Sequence, residues 1–211
     1  MPRDGWIDRQ LRSRGIDDER VLAAMARVPR ELFVPDELRR FAYEDEALPI
    51  GAGQTVSQPY MVAFICQALA LAGDERVLDV GTGSGYQAAV LAELAAEVFS
   101  IERIAELADR ARAALAAAGY ARVVVHVGDG TRGLPAHAPY DGIAVAAATA
   151  DVPEPLWEQL REGCRIVLPL GRRRAQELCV LERTPEGPRL LAAVPVRFVP
   201  LVAEERDDAA R

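Results

Sequence analysis

From residue 76 onward, short apolar runs recur at intervals filled by helical patterns, and this alternation narrows the possible folds more than any other feature of the chain. Arg76–Val80, Glu97–Glu102, Val123–Val127, Asp141–Val145 and Arg165–Leu168 are largely apolar stretches too short for helices. Between them Tyr86–Ala95, Ile104–Ala118 and a segment from about Pro155 to Arg161 carry helical sequence, the second closed by Gly119. Strands apolar on both faces must be covered on both, so the pattern predicts an α/β fold with a doubly wound, mostly parallel sheet. Two later runs, Glu177–Arg183 and Arg189–Phe198, flank the turn Thr184–Pro188 and predict a C-terminal antiparallel hairpin that brings the sheet to seven strands.

Upstream, Asp4–Arg40 reads as N-terminal helices. Asp17 and Asp18 are capping acids ahead of Val21, Leu22, Met25 and Val28, and Pro29 and Pro35 end the helices. Leu48–Pro59 is broken by glycines and prolines, so a structured loop without a regular element is expected. A helix should follow from about Gln58 to Leu71, with Pro59 in its first turn. The chain is read as a single domain: 1–72 gives the helices and the loop, 73–170 the α/β core, 171–202 the closing strands, and 203–211 a polar tail.

The net charge of -7 argues against a nucleic-acid partner, because phosphate contacts need clustered Lys and Arg. Arg172-Arg173-Arg174 is short and reads as a solvated turn after Gly171. No apolar region follows Met1, and no window reaches about 18 uninterrupted apolar residues, so neither export nor a membrane role is expected. Cys66, Cys164 and Cys179 have no CxxC spacing and read as small core residues of a protein in a reducing cytoplasm.

The first strand runs straight into Gly81-Thr82-Gly83-Ser84-Gly85, where absent side chains let a ligand approach the backbone at a helix start. The spacing is G-x-G-x-G, with Tyr86 where the dinucleotide fingerprint has its last glycine, which disfavours a nicotinamide enzyme. Glu102 ends the second strand about 20 residues on, the distance at which a carboxylate accepts from ribose hydroxyls. Asp129, in Gly128-Asp129-Gly130 after the third strand, can accept from the exocyclic amine of adenine. Alone, either acid could be a cap or a surface carboxylate; with the glycine turn they point to a nucleoside-bearing ligand.

The sequence from Val28-Pro29-Arg30 through Phe198-Val199-Pro200-Leu201 resembles the protein-L-isoaspartate (D-aspartate) O-methyltransferases. The strongest element of the likeness is Gly53-Gln54-Thr55-Val56-Ser57-Gln58-Pro59-Tyr60, which looks like the active-site loop of that family. Phe33-Val34-Pro35, Leu48-Pro49-Ile50-Gly51, the glycine turn, Ser100-Ile101-Glu102-Arg103 and Gly128-Asp129-Gly130 support it. The resemblance implies a Rossmann-like fold, S-adenosyl-L-methionine as cofactor, and isoaspartyl proteins and peptides as substrates; a cytoplasmic monomer is expected. It implies Ser57 as the catalytic residue, with Thr55, Val56 and Ser57 wrapping cofactor and substrate carboxylate. It further implies that Asp79, Gly81, Gly83 and Gly85 hold the methionine end, Glu102 the ribose, and Asp129 with Gly130 the adenine. The chain departs from the family pattern at Ala146–Ala150, Cys164 and Val202.

Methylation of a carboxylate fits the residues that are missing as well as those present. With a pKa of about 4 the acceptor is already ionised at neutral pH, so no general base is required. His126 and His137, the two histidines, belong to no catalytic pattern and read as structural. Ser57 suits an orienting hydrogen bond; it lacks a G-x-S-x-G setting or a His or Lys neighbour, and it could also cap the following helix. Two other readings stand beside general repair: an enzyme of the same ancestry dedicated to one peptide, and a cofactor-binding adaptor without catalysis.

Overall fold

In the computed structural model, residues 5–172 and 175–203 are described. Trp6–Gln10 (α1) and Glu19–Arg27 (α2) open the chain, followed by Leu48–Gly51 (β1), Gln54–Val56 (β2) and Pro59–Leu69 (α3). Then come Arg76–Val80 (β3), Tyr86–Leu94 (α4), Glu97–Glu102 (β4), Ala105–Ala117 (α5) and Val124–Val127 (β5). Tyr140–Val145 (β6), Glu154–Gln159 (α6), Leu160–Arg172 (β7), Ala175–Thr184 (β8) and Gly187–Val196 (β9) complete it.

The seven-stranded sheet has the order β5-β4-β3-β6-β7-β8-β9. Strands β3 to β7 pair in parallel, and β8 and β9 add antiparallel partners, as the sequence predicts. Along β3, β6 and β7, neighbouring residues alternate between two clusters: Val77, Ala144 and Val167 in one, Leu78, Ile143 and Ile166 in the other. That period of two is what a sheet buried on both faces requires. The chain order reverses beside β3, with β4 on one side and β6 on the other, which opens a crevice at the carboxyl ends of these strands.

Four expectations are corrected. Leu48–Pro59 is not an irregular loop: β1 and β2 pair antiparallel, with Leu48 opposite Val56 and Pro49 opposite Thr55. Alternation buries Leu48, Ile50 and Val56, while Gly51, Ala52 and Gly53 adopt positive φ and close the turn, so the glycines read as breakers are what permits the hairpin. The N-terminal region is helical only in part, since Arg12–Arg14, Arg30–Phe33 and Asp36–Phe41 are short 3-10 turns between prolines and glycines. Asp18 caps α2 by accepting from the N–H groups of Arg20 and Val21, whereas the Asp17 N–H instead donates to the Gln67 side chain. Helix α6 stops at Gln159, because Leu160 is already drawn into the sheet opposite Tyr140.

Thr184 and Gly187 pair across Pro185–Glu186, which gives the predicted β8–β9 turn. Cys66 and Cys179 are buried and Cys164 is half-buried, all three as free thiols. Arg173, Arg174 and the tail from residue 204 lie outside the described residues. Among the described residues, no helix is long and apolar enough to cross a membrane.

Candidate active site

The parallel strands deliver their carboxyl ends to one cavity. Its walls include Thr55, Val56 and Ser57 from the hairpin, Gly81 and Gly83 from the turn after β3, Glu102 from β4, and Gly130. Seven of the ten residues singled out in the sequence therefore meet in one place, while Asp79, Gly85 and Asp129 stand outside its lining. Gly85 starts α4 at a φ of 89°, and a Cβ there would sit 3.2 Å from the side chain of Leu115, so this glycine lets α5 pack against the turn.

Glu102 is 7% exposed. Its two oxygens accept from the backbone N–H groups of Gly83 at 2.9 Å and Ile104 at 3.0 Å. Each oxygen retains a second lone pair for a ligand hydroxyl. At Gly130 a Cβ would come within 2.7 Å of the Val80 side chain, so glycine is needed where the chain lines the cavity against β3. Asp129 Oδ1 accepts from the N–H and hydroxyl of Thr131, at 2.9 and 2.7 Å, and starts the short turn Gly130–Arg132.

Asp79 lies directly behind the glycine turn, fully buried. Its carboxylate accepts from Ser100 Oγ and Gln87 Nε2, each at 2.7 Å. Loss of hydration on burial raises its pKa to about 6, against the pull of those two hydrogen bonds. The Asp79–Ser100 pairing follows from the parallel register of β3 and β4, which sets the two residues side by side.

Ser57 leaves β2 just before α3. Gln58 caps α3 without a side-chain bond to the helix, and Asp45 Oδ1 accepts the Tyr60 N–H at 3.0 Å, so a distant carboxylate takes the capping role open to Ser57 in the sequence. The Ser57 carbonyl accepts from Arg30 Nη2 at 2.9 Å. Arg30 is fully buried and also donates to the carbonyls of Ala42 and Glu46, which locks the approach to Ser57 to the N-terminal helices.

A second groove shares Thr55, Ser57, Ala146 and Val199 with the cavity and continues along Tyr60, Met61 and Val194–Phe198. The sequence assigned no binding role to Gln87, Ile104, Ala146–Ala147 or Val199–Val202, all of which line the cavity. For the last group a signal existed: the family-like Val199-Pro200-Leu201 folds back on the departing Ala146–Ala150 stretch, with Ala148 N–H donating to Val199 O and Leu201 N–H to Ala148 O, each at 2.7 Å. Two of the departures, Ala146–Ala147 and Val202, thus lie on the cavity wall, while Cys164 sits in a separate recess with Asp141 and Arg161. His137 stacks on Phe99 at 4.1 Å with His126 beside it, away from the lining residues. No cluster of three metal-ligating side chains occurs among the described residues.

Residues 5–206 match the family described as Protein-L-isoaspartate(D-aspartate) O-methyltransferase (PCMT). The protein-L-isoaspartate O-methyltransferase of Methanoculleus marisnigri is 52% identical over 202 residues, covering 96% of this chain and 92% of that relative. Protein-L-isoaspartate O-methyltransferase 1 of Syntrophobacter fumaroxidans is 54% identical over 202 residues, covering 96% and 94%. A solved protein-L-isoaspartate O-methyltransferase superposes with a TM-score of 0.82 at 28% identity, over 96% of this chain and 66% of that longer one. A Plasmodium falciparum chain in complex with S-adenosyl-L-homocysteine shares the fold at a TM-score of 0.79 and 23% identity, over 94% and 97%. With the match running almost from end to end, this chain belongs to the protein-L-isoaspartate (D-aspartate) O-methyltransferase family.

Proposed function

We propose that the protein transfers a methyl group from S-adenosyl-L-methionine to the free α-carboxylate of L-isoaspartyl residues in damaged proteins and peptides. The observation that carries this reading is the joining of the Thr55–Ser57 segment to the glycine turn and Glu102 in one cavity, with a groove opening from Ser57 along β9. The cavity suits such a cofactor in its chemistry. Glu102 offers a nearly buried carboxylate to paired hydroxyls, and the buried Oε1 of Gln87, a residue of the wall, has no hydrogen-bond partner among the described residues. In this reading Thr55, Val56, Gly81 and Gly83 contact the cofactor directly, and Asp79 and Gly85 act by supporting the turn. Asp129 with Gly130 shapes the adenine end.

When bound, the cofactor supplies an electrophilic methyl group. The chain must then align the acceptor oxygen with it and strip water from that anion, since hydration favours the separated charges over a transition state in which they neutralise. Ser57 orients the carboxylate by donating its hydroxyl, and Val56, Val62 and Ile104 exclude solvent. An extended peptide lying in the groove along Tyr60, Met61 and Val194–Phe198 carries the acceptor to Ser57. The backbone nitrogen of the following residue then attacks the methyl ester and expels methanol, giving a succinimide that water reopens in part to normal aspartate. We take the enzyme to act as a cytoplasmic monomer without a nucleic-acid or membrane partner.

The test is transfer of labelled methyl to two peptides that differ only in isoaspartate versus aspartate. The isoaspartyl carboxylate is one methylene closer to the chain, and in-line geometry tolerates little misplacement, so the isoaspartyl peptide should be methylated far faster. Equal rates would identify a general carboxyl methyltransferase, and no transfer at all would leave an adaptor.

A further inference from the structure

Gln87 is the second residue of α4 and lines the same cavity as Gly81, Ser84, Val56 and Val62. It is 8% exposed. Its amide is divided between two environments. Nε2 donates to Asp79 Oδ1 at 2.7 Å, while Oε1 is buried and has no hydrogen-bond partner among the described residues. Buried acceptors are almost always paired, so an unpaired one on a residue that lines a ligand cavity marks a place where a donor is expected.

The donor must fit the surroundings. The Asp79 carboxylate behind Gln87 is itself held by Ser100, whose hydroxyl is bonded to that of Thr82, so the wall at this point is a chain of acceptor-rich groups ending in Oε1. A carboxylate on one side of an amide polarises it and strengthens the oxygen on the other side as an acceptor. Such a spot repels an anion and attracts a cationic N–H donor. Glu102 offers the cavity a carboxylate suited to ribose hydroxyls, and Gln87, bonded to Asp79 two residues ahead of the glycine turn, lines the same cavity as Gly81, Val56 and Ser57, the side assigned here to the amino-acid end of a sulfonium nucleoside.

Building on the proposed methyltransferase activity, we propose that Gln87 binds the cofactor by accepting a hydrogen bond from its α-ammonium through Oε1, with Asp79 as the supporting counter-charge. Gln87 thereby fixes which way round the amino-acid group sits, with ammonium against α4 and carboxylate away from it. The residue acts on cofactor affinity and orientation and takes no part in recognition of the peptide.

Binding calorimetry on the purified full chain separates this role from a structural one by using two ligands. S-adenosyl-L-homocysteine carries the α-ammonium; 5'-methylthioadenosine keeps the nucleoside and sulfur but lacks the amino-acid end. In Gln87→Met, affinity for S-adenosyl-L-homocysteine should fall about ten- to a hundredfold, while affinity for methylthioadenosine changes by less than about threefold. Gln87→Asn keeps the amide but shortens its reach, so it should show the same selective loss and provides a second variant if Met is not tolerated in the fold. Equal losses for both ligands, or unchanged affinity for S-adenosyl-L-homocysteine, would overturn the assignment. Failure of the wild-type chain to bind either ligand would instead remove the methyltransferase reading beneath it.

Discussion

The carboxylate of Glu102 accepts the backbone N–H of Gly83 at 2.9 Å, so the end of β4 is fastened to the glycine turn that follows β3. One side chain thus shapes the turn and faces the cavity. Glu102→Ala strands the Gly83 and Ile104 N–H groups and removes the proposed ribose contact. Calorimetry with S-adenosyl-L-homocysteine should show a loss of about 1.5–3 kcal/mol. Unchanged affinity would exclude Glu102 from the cofactor site.

Ser57→Ala should lower turnover about ten- to a hundredfold, the value of an orienting hydrogen bond to a charged oxygen. Affinity for S-adenosyl-L-homocysteine should stay nearly constant. Because Asp45 and not Ser57 bonds the first turn of α3, the melting temperature should also hold. A covalent nucleophile would behave differently, leaving no measurable turnover in the variant and a labelled wild-type enzyme after a denaturing wash. Full activity in the folded variant would refute the catalytic assignment.

Burial raises the pKa of Asp79 to about 6, above its unfolded value, so the folded chain holds an extra proton between the two. Its contribution to stability is therefore greatest below about pH 4 and is lost as pH rises toward 6, amounting to about 3 kcal/mol at most. Asp79→Asn should remove this decline. Thermal melts at pH 4.5 and 7.5 compare the two proteins, and the variant should gain relative to wild type at the higher pH. Parallel behaviour of the two across that range would rule out Asp79 as the titrating group.

Arg30→Met should be among the most damaging single changes. The guanidinium is fully buried and donates to the carbonyls of Ala42, Glu46 and Ser57, all of which would be left unsatisfied. At about 1–3 kcal/mol for each stranded group, urea denaturation should show a loss of about 3 kcal/mol or more. Arg30→Lys keeps the charge but cannot span three carbonyls in the fork geometry of Arg, so it should fall between wild type and Met. A loss below about 1 kcal/mol in Met would show that water satisfies those carbonyls.

Residues 76 to 172 were legible because their signals are local. A strand buried on both faces is largely apolar, as Val77, Leu78 and Val80 are around Asp79, and the positive φ of Gly81, Gly83 and Gly85 in the strand-to-helix turn favours glycine. The likeness in Gly53–Tyr60 and the acid at Glu102 likewise stand in the sequence without any knowledge of the fold. The hairpin of β1 and β2 was not legible, because its glycines have the same composition whether they break a strand or turn it, and only the pairing of Leu48 with Val56 decides between them. The partners of the carboxylates were equally hidden. Asp129 bonds two residues away, but Glu102 reaches back 19 residues to Gly83 and Asp79 reaches 21 to Ser100, through the register of β3 with β4. Sequence thus determined the periodic elements and the types of residue at the strand ends, since these depend on neighbours a few positions apart. Tertiary structure decided which of those residues face the cavity and which serve behind it, since that depends on strands brought together from distant parts of the chain.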